Sequence, residues 1–131
     1  MRLLGIDYGT KKIGLSTSDR EGKMAFPFSV LDNPKSIEKL SDLIVALCIK
    51  EGVGQIVIGH SLDYKNKTNP IVEETDKLIK TLGQKTEIPV FYQPEVLTTE
   101  EAKRLQGDVE KIDASAATLI LQSFIDKNKM I

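Results

Sequence analysis

Cysteine and histidine each occur once, as Cys48 and His60. A lone cysteine forms no internal disulfide, and one of each falls short of an ordinary zinc-finger ligand set. Cys48 stands among Leu43, Ile44, Leu47 and Ile49, the setting of a small buried hydrophobe rather than a nucleophile. No apolar run reaches the length of a membrane span. The start, Met1-Arg2-Leu3-Leu4, lacks a signal-peptide core and a cleavage site. The expectation is a cytoplasmic protein with no membrane contact. An excess of one charge is also missing: 18 Lys and Arg against 19 Asp and Glu give a formal net charge of -1. That excludes a protein that coats nucleic acid by charge alone, though not one with a local basic patch. Repeats, low-complexity segments and interdomain linkers are absent as well. The 131 residues therefore read as one domain, 1–131, with 40% hydrophobic and 28% charged residues, enough to bury a core.

What is present begins with Leu3-Leu4-Gly5-Ile6-Asp7-Tyr8-Gly9-Thr10-Lys11-Lys12-Ile13-Gly14. Apolar runs on either side of a glycine- and lysine-containing turn predict strands over about 2–8 and 12–18. A polar turn leads to a third strand, Met24 to Leu31, in which Pro27 implies an edge position. Asn33-Pro34 reads as a helix start, with Ile37, Leu40, Ile44, Leu47 and Cys48 on its buried face and Gly52 as its stop. The continuously apolar Gln55-Ile56-Val57-Ile58-Gly59 reads as a strand covered on both faces. A polar loop through Lys65 and Lys67 follows, and Asn69-Pro70 opens a second helix that Gly83 ends. Ile88 to Tyr92 is a fifth strand, and Thr98-Thr99-Glu100-Glu101 is a capping box for a short helix to about Gln106. A break over Gly107 to Glu110 precedes a last helix at about 111–127. The order β-β-β-α-β-α-β-α-α predicts an α/β fold. Its five-stranded mixed sheet joins an antiparallel three-strand meander to two parallel strands, with helices on both faces.

Three acids sit where a simple core would not place them. Asp7 ends the first strand, and Glu95 follows the fifth. Asp113 shares a helix face with Ala116, Ala117, Ile120 and Phe124. Each has a bland explanation when taken singly. Asp7 can cap its own turn, Glu95 can be a solvated loop acid, and Asp113 can answer the helix dipole. Together they suit a hard, oxygen-loving cation such as magnesium or manganese. Lys11, Lys12, Lys65 and Lys67 are candidates for phosphate contacts, with solvated surface lysines as the alternative.

The opening Gly5-Ile6-Asp7-Tyr8-Gly9-Thr10-Lys11-Lys12-Ile13-Gly14 resembles that of the YqgF family. Ile56-Val57-Ile58-Gly59, Leu97-Thr98-Thr99-Glu100-Glu101-Ala102 and Asp113-Ala114-Ser115-Ala116-Ala117-Thr118-Leu119-Ile120-Leu121-Gln122 resemble its central strand, its segment after the second acid and its final helix. The family has been described both as Holliday-junction resolvases and as nucleases that process the 5′ end of pre-16S ribosomal RNA. The resemblance implies a ribonuclease-H-like fold. It matches Asp7, Glu95 and Asp113 to the family's three catalytic, metal-binding acids. With Mg2+ or Mn2+ as the expected cofactor, Gly9, Thr10, Lys11, Lys12, Lys65 and Lys67 are the candidate nucleic-acid contacts. Two departures stand out. Pro94-Glu95-Val96 replaces the usual Asp-Glu-Arg, and Gly59-His60-Ser61 replaces Gly-Leu-Pro.

The reading that follows is a metal-dependent nuclease of structured RNA, processing pre-16S ribosomal RNA in ribosome biogenesis, as a monomer or weak homodimer. One alternative is resolution of branched DNA, which needs two symmetric cuts and so a stable two-fold dimer. Another is a nucleic-acid-binding homologue with weak or no catalysis. A sugar-kinase or actin-like ATP-binding fold shares the Asp-x-Gly-Thr hairpin but needs two such domains, more than 131 residues supply.

Overall fold

The computed structural model describes residues 1–62, 70–93, 95–96 and 109–129. At 61–62, 70–71, 95–96, 109–115 and 129 the description is of the backbone. The capping box at Thr98 to Glu101, the short helix after it, and Lys65 and Lys67 lie outside the described residues.

The chain opens with β1 (Arg2–Asp7), β2 (Lys12–Ser18) and β3 (Ala25–Asp32), an antiparallel meander. Helix α1 (Ile37–Glu51) leads to β4 (Val53–Gly59), which pairs parallel with β1. Helix α2 (Pro70–Lys85) leads to β6 (Val90–Tyr92), parallel to β4, and α3 (Val109–Lys129) follows. The sheet order is β3-β2-β1-β4-β6, so β1 is central and β3 is an edge strand, as Pro27 implies. A second, two-stranded sheet joins β5 (Ser61–Leu62) to β7 (Glu95–Val96) in parallel.

Alternation along β1 divides its side chains between two cores. Leu4, Ile6 and Tyr8 join Ile13, Leu15, Ile56 and Ile58 under α1 and α2, whose Leu40, Ile44, Cys48, Leu78 and Leu82 complete that cluster. Leu3 and Val57 face the other way and pack with Ile120, Leu121 and Ile125 of α3. The expected sheet with helices on both faces is therefore the observed one. No helix among the described residues is long and apolar enough to cross a membrane.

Three local expectations are corrected. Asn33 is not the cap of α1. Ser36 caps it, in extended conformation, its hydroxyl accepting from the Lys39 amide, while Asn33 is engaged elsewhere. Gly83 does not end α2, which continues to Lys85. The Lys85 ammonium reaches α1, where it pairs with Glu38 and Asp42 at 2.7 and 2.8 Å and donates to the Ser41 hydroxyl. That anchor holds the last turn despite the glycine. Finally, α3 starts at Val109, ahead of the expected break's end. Gly52 does stop α1, in the left-handed conformation with φ 68°, its amide bonded to the Cys48 carbonyl.

Candidate active site

Asp7 is the last residue of β1, between β2 and β4 in the sheet, paired with Gly14 on one side and Gly59 on the other. Both neighbours are glycines, so no side chain flanks the carboxylate within the sheet. Its position two residues after Gly5 puts Asp7 on the face that α3 covers, and it is 9% exposed.

The packing of α3 sets the direction of approach. A Cβ on Gly5 would lie 2.8 Å from Leu121 Cβ and 3.1 Å from the Ala117 carbonyl oxygen. One on Gly59 would lie 3.0 Å from Ile120. Farther along α3, Phe124 stacks on Phe91 with ring centroids 5.1 Å apart, and Ile125 packs in the same cluster as Leu3. The helix therefore runs antiparallel to β1, with its first turns toward the Asp7 end. Ala116, Ala117 and Ile120, on the face shared with Asp113, are all buried. Asp113 lies in α3 one turn before Ala117. The backbone of Glu95 is in β7, opposite Ser61 of β5. Among the described residues, no three His, Cys, Asp or Glu side chains group to hold a metal; the side chains of Glu95 and Asp113 are outside that set.

The turn after Asp7 is braced from below. The Tyr8 amide donates to the Gly59 carbonyl at 2.8 Å. A Cβ on Gly9 would come within 2.4 Å of the Lys12 carbonyl oxygen, so only glycine fits. Asn33 is the hub. Its side-chain amide donates to the Gly9 carbonyl at 2.9 Å and to the Tyr8 hydroxyl at 3.3 Å, and its own amide donates to the Lys11 carbonyl at 2.9 Å. Lys35, in the left-handed region at φ 58°, donates its ammonium to the Thr10 carbonyl. The Tyr8 hydroxyl in turn donates to Glu74 of α2 at 3.0 Å, and burial pushes its pKa above the ordinary value. Thr10 and Lys11 stand exposed at the tip, while Lys12 pairs with Asp32 of β3 at 2.5 Å.

Sequence reasoning missed Tyr8, Asn33 and Lys35 as supports. Asn33-Pro34 carries the same signature as a helix cap, and nothing local distinguishes the two uses. It also missed His60, 1% exposed at the end of β4, whose Nε2 lies 2.6 Å from the Tyr92 hydroxyl. The fifth sheet strand ends at that tyrosine, and the buried Gln93 follows, its amide donating to the Ile58 carbonyl at 2.8 Å.

An acid at the end of the central strand, a meander on one side and parallel strands on the other are the arrangement of the ribonuclease-H-like fold. Over 98% of this chain and 97% of the other, it is similar to the RuvC structure of Thermus thermophilus, with a TM-score of 0.64 at 15% identity. The RuvC of that organism in complex with a Holliday junction substrate matches with a TM-score of 0.62 at 15% identity, over 98% of this chain and 96% of that one. These likenesses concern the fold. The family model RuvX, described as Holliday junction resolvase, matches residues 1–127, and the chain belongs to this family, also called YqgF. A relative in Agrobacterium fabrum is 35% identical over 133 residues, 95% of this chain and 83% of its own length. One in Limosilactobacillus reuteri is 36% identical over 139 residues, 98% of this chain and 95% of its own. Both bear the name "Putative pre-16S rRNA nuclease". The family description and the relatives' names alike denote nucleases, hydrolases acting on ester bonds.

Proposed function

We propose that the protein is a divalent-metal-dependent nuclease that hydrolyses phosphodiester bonds of structured RNA. Its substrate on this reading is the precursor of 16S ribosomal RNA, cut at its 5′ side in the cytoplasm by a monomer or weak homodimer. The observation that carries the reading is Asp7, a buried carboxylate at the end of the central strand, on the face toward which the first turns of α3 point. Four residues of helix rise about 6 Å, and two residues of strand advance about 6.6 Å. Stepping back from Ala117 to position 113 therefore covers the same distance as stepping from Gly5 to Asp7, which supports Asp113 as a partner. Glu95 would close the set from the β5–β7 ribbon.

The donors fit Mg2+ or Mn2+. They are carboxylates only, and one of them is buried at a strand end where a core would favour an apolar side chain. Asp7, Glu95 and Asp113 would hold the ion. When bound, it supplies activation of water and charge stabilisation at the leaving oxygen. The chain's own contribution is to hold Asp7 in the sheet and to present Gly9, Thr10 and Lys11 on a braced turn, where they would meet the phosphates of the scissile strand. On this reading Lys12, Lys65 and Lys67 are further phosphate contacts.

Purified protein is incubated with pre-16S-like RNA and with a four-way DNA junction, with and without manganese. The expected result is metal-dependent cleavage of RNA. Asp7→Asn keeps the shape and removes the charge, so it abolishes cutting while sparing folding and much of the RNA binding. If Asp7→Asn cuts as well as the wild type, the site lies elsewhere. Symmetric cutting of the junction by a stable dimer would instead favour the resolvase reading, which the family description supports.

A further inference from the structure

A side-chain contact joins the exits of β4 and β6. His60 Nε2 stands 2.6 Å from the Tyr92 hydroxyl, the two rings tilted by 42° at a centroid distance of 5.7 Å. Both residues fall on the α2 side of the sheet, opposite Asp7. Immediately beyond them the chain forms the β5–β7 ribbon, in which Ser61 pairs with Glu95 and Leu62 with Val96. Two residues per strand are too few to fix a register by themselves. Below the ribbon, the backbones at Gly59 and Gln93 are so close that a Cβ on Gly59 would lie 2.2 Å from the Gln93 carbonyl oxygen.

Packing alone does not account for the histidine. It is fully enclosed, yet its Nδ1 is buried with no hydrogen-bond partner among the described residues. A leucine would fill similar space without an orphaned polar atom. Burial holds the imidazole pKa below its ordinary 6.5, so the ring is neutral and has one donor and one acceptor. The phenol uses one of them.

We propose that the His60–Tyr92 hydrogen bond is a clamp that sets the register of the β5–β7 ribbon and so positions Glu95 beside the end of β1. His60 and Tyr92 are positioning residues on the far side of the sheet from the substrate. The inference rests on the reading of Glu95 as a metal-holding acid.

The test uses the full chain with Tyr92→Phe, which removes only a hydroxyl, and His60→Leu, which also removes the orphaned nitrogen. Amide exchange at 60–62, 93, 95 and 96 should quicken about fivefold in both variants, with β1 and β2 unchanged, because the opening is local. Cleavage of the RNA should show kcat falling about tenfold and the manganese midpoint rising, with KM for RNA unmoved. Melting of His60→Leu should be unchanged or higher, so that its fall in kcat is not a loss of folded protein. Adding Glu95→Gln to Tyr92→Phe should cost less than the two separate losses multiplied, since both act on one group. Unchanged exchange in the ribbon overturns the proposal, and so do losses that multiply in full. If Glu95→Gln cuts like the wild type while the ribbon exchange quickens, the metal-site reading fails and the clamp stands as a device of the ribbon.

Discussion

Gly5 of β1 and Ala117 of α3 meet with no side chain between them. A Cβ on Gly5 would stand 3.1 Å from the Ala117 carbonyl oxygen, 2.8 Å from Leu121 Cβ and 2.3 Å from Ser16 Oγ. The Ser16 hydroxyl donates to that same carbonyl at 2.8 Å. The helix that would bring Asp113 to Asp7 is thus seated on bare backbone at Gly5 and tied to the sheet there by Ser16. Gly5→Ala must lift α3, and overpacking of this kind costs about 1–3 kcal/mol. The expected outcome is a lower denaturant midpoint at unchanged slope, with a loss of cleavage larger than the loss of stability explains. Ser16→Ala should cost about 1 kcal/mol and less activity.

His60 is the chain's one histidine, so a pH effect near neutrality is readable. Its folded pKa lies below 6.5 because burial disfavours the imidazolium. As pH falls through about 6.5, the unfolded chain takes up a proton that the folded chain refuses. Stability is therefore full above that value and declines as pH falls toward the folded pKa. Urea midpoints at about pH 7.5 and about pH 5.5, a window above most carboxylate titration, should differ for the wild type and coincide for His60→Leu.

Cys48 is 1% exposed, and burial pushes its thiol pKa up to about 11. The thiolate is the reactive form. Native protein should resist a thiol-specific chromogenic reagent at neutral pH. One thiol per chain should react once urea unfolds it. Rapid labelling of the native protein would show that α1 opens locally.

Lys11 lies at the exposed tip of the braced turn. Lys11→Ala should weaken RNA binding and reduce the slope of log affinity against log salt by about 1, the mark of one lost phosphate contact. Melting should not move. An unchanged slope would remove Lys11 from the interface.

The sheet and its two faces were legible because long elements repeat their pattern. Leu4 and Ile6 alternate with Leu3 and Gly5, and Ala116, Ala117 and Ile120 recur at helical spacing. The β5–β7 ribbon was not legible, since two residues carry no period. The passage of α2 through Gly83 depends on Lys85 reaching Glu38, Ser41 and Asp42, a tertiary anchor no local rule contains. For the candidate site, the burial of Asp7 at a strand end is the part that its place in the sequence foretold. The supports could not be foretold, because Asn33 reaches Gly9 across 24 residues and His60 reaches Tyr92 across 32.

The Ser16–Ala117 contact spans 101 residues, which has a bearing on timing. During synthesis the meander emerges first, and α3 is the last described element to follow. Until α3 arrives, Leu3, Gly5 and Val57 have no cover, and the carboxylate of Asp7 faces water from a half-built sheet. A nascent chain therefore exposes an adhesive face and lacks any acid that α3 would contribute. The inner face of the sheet is thus sealed from both ends of the described chain, and no part of it made early can close the site alone.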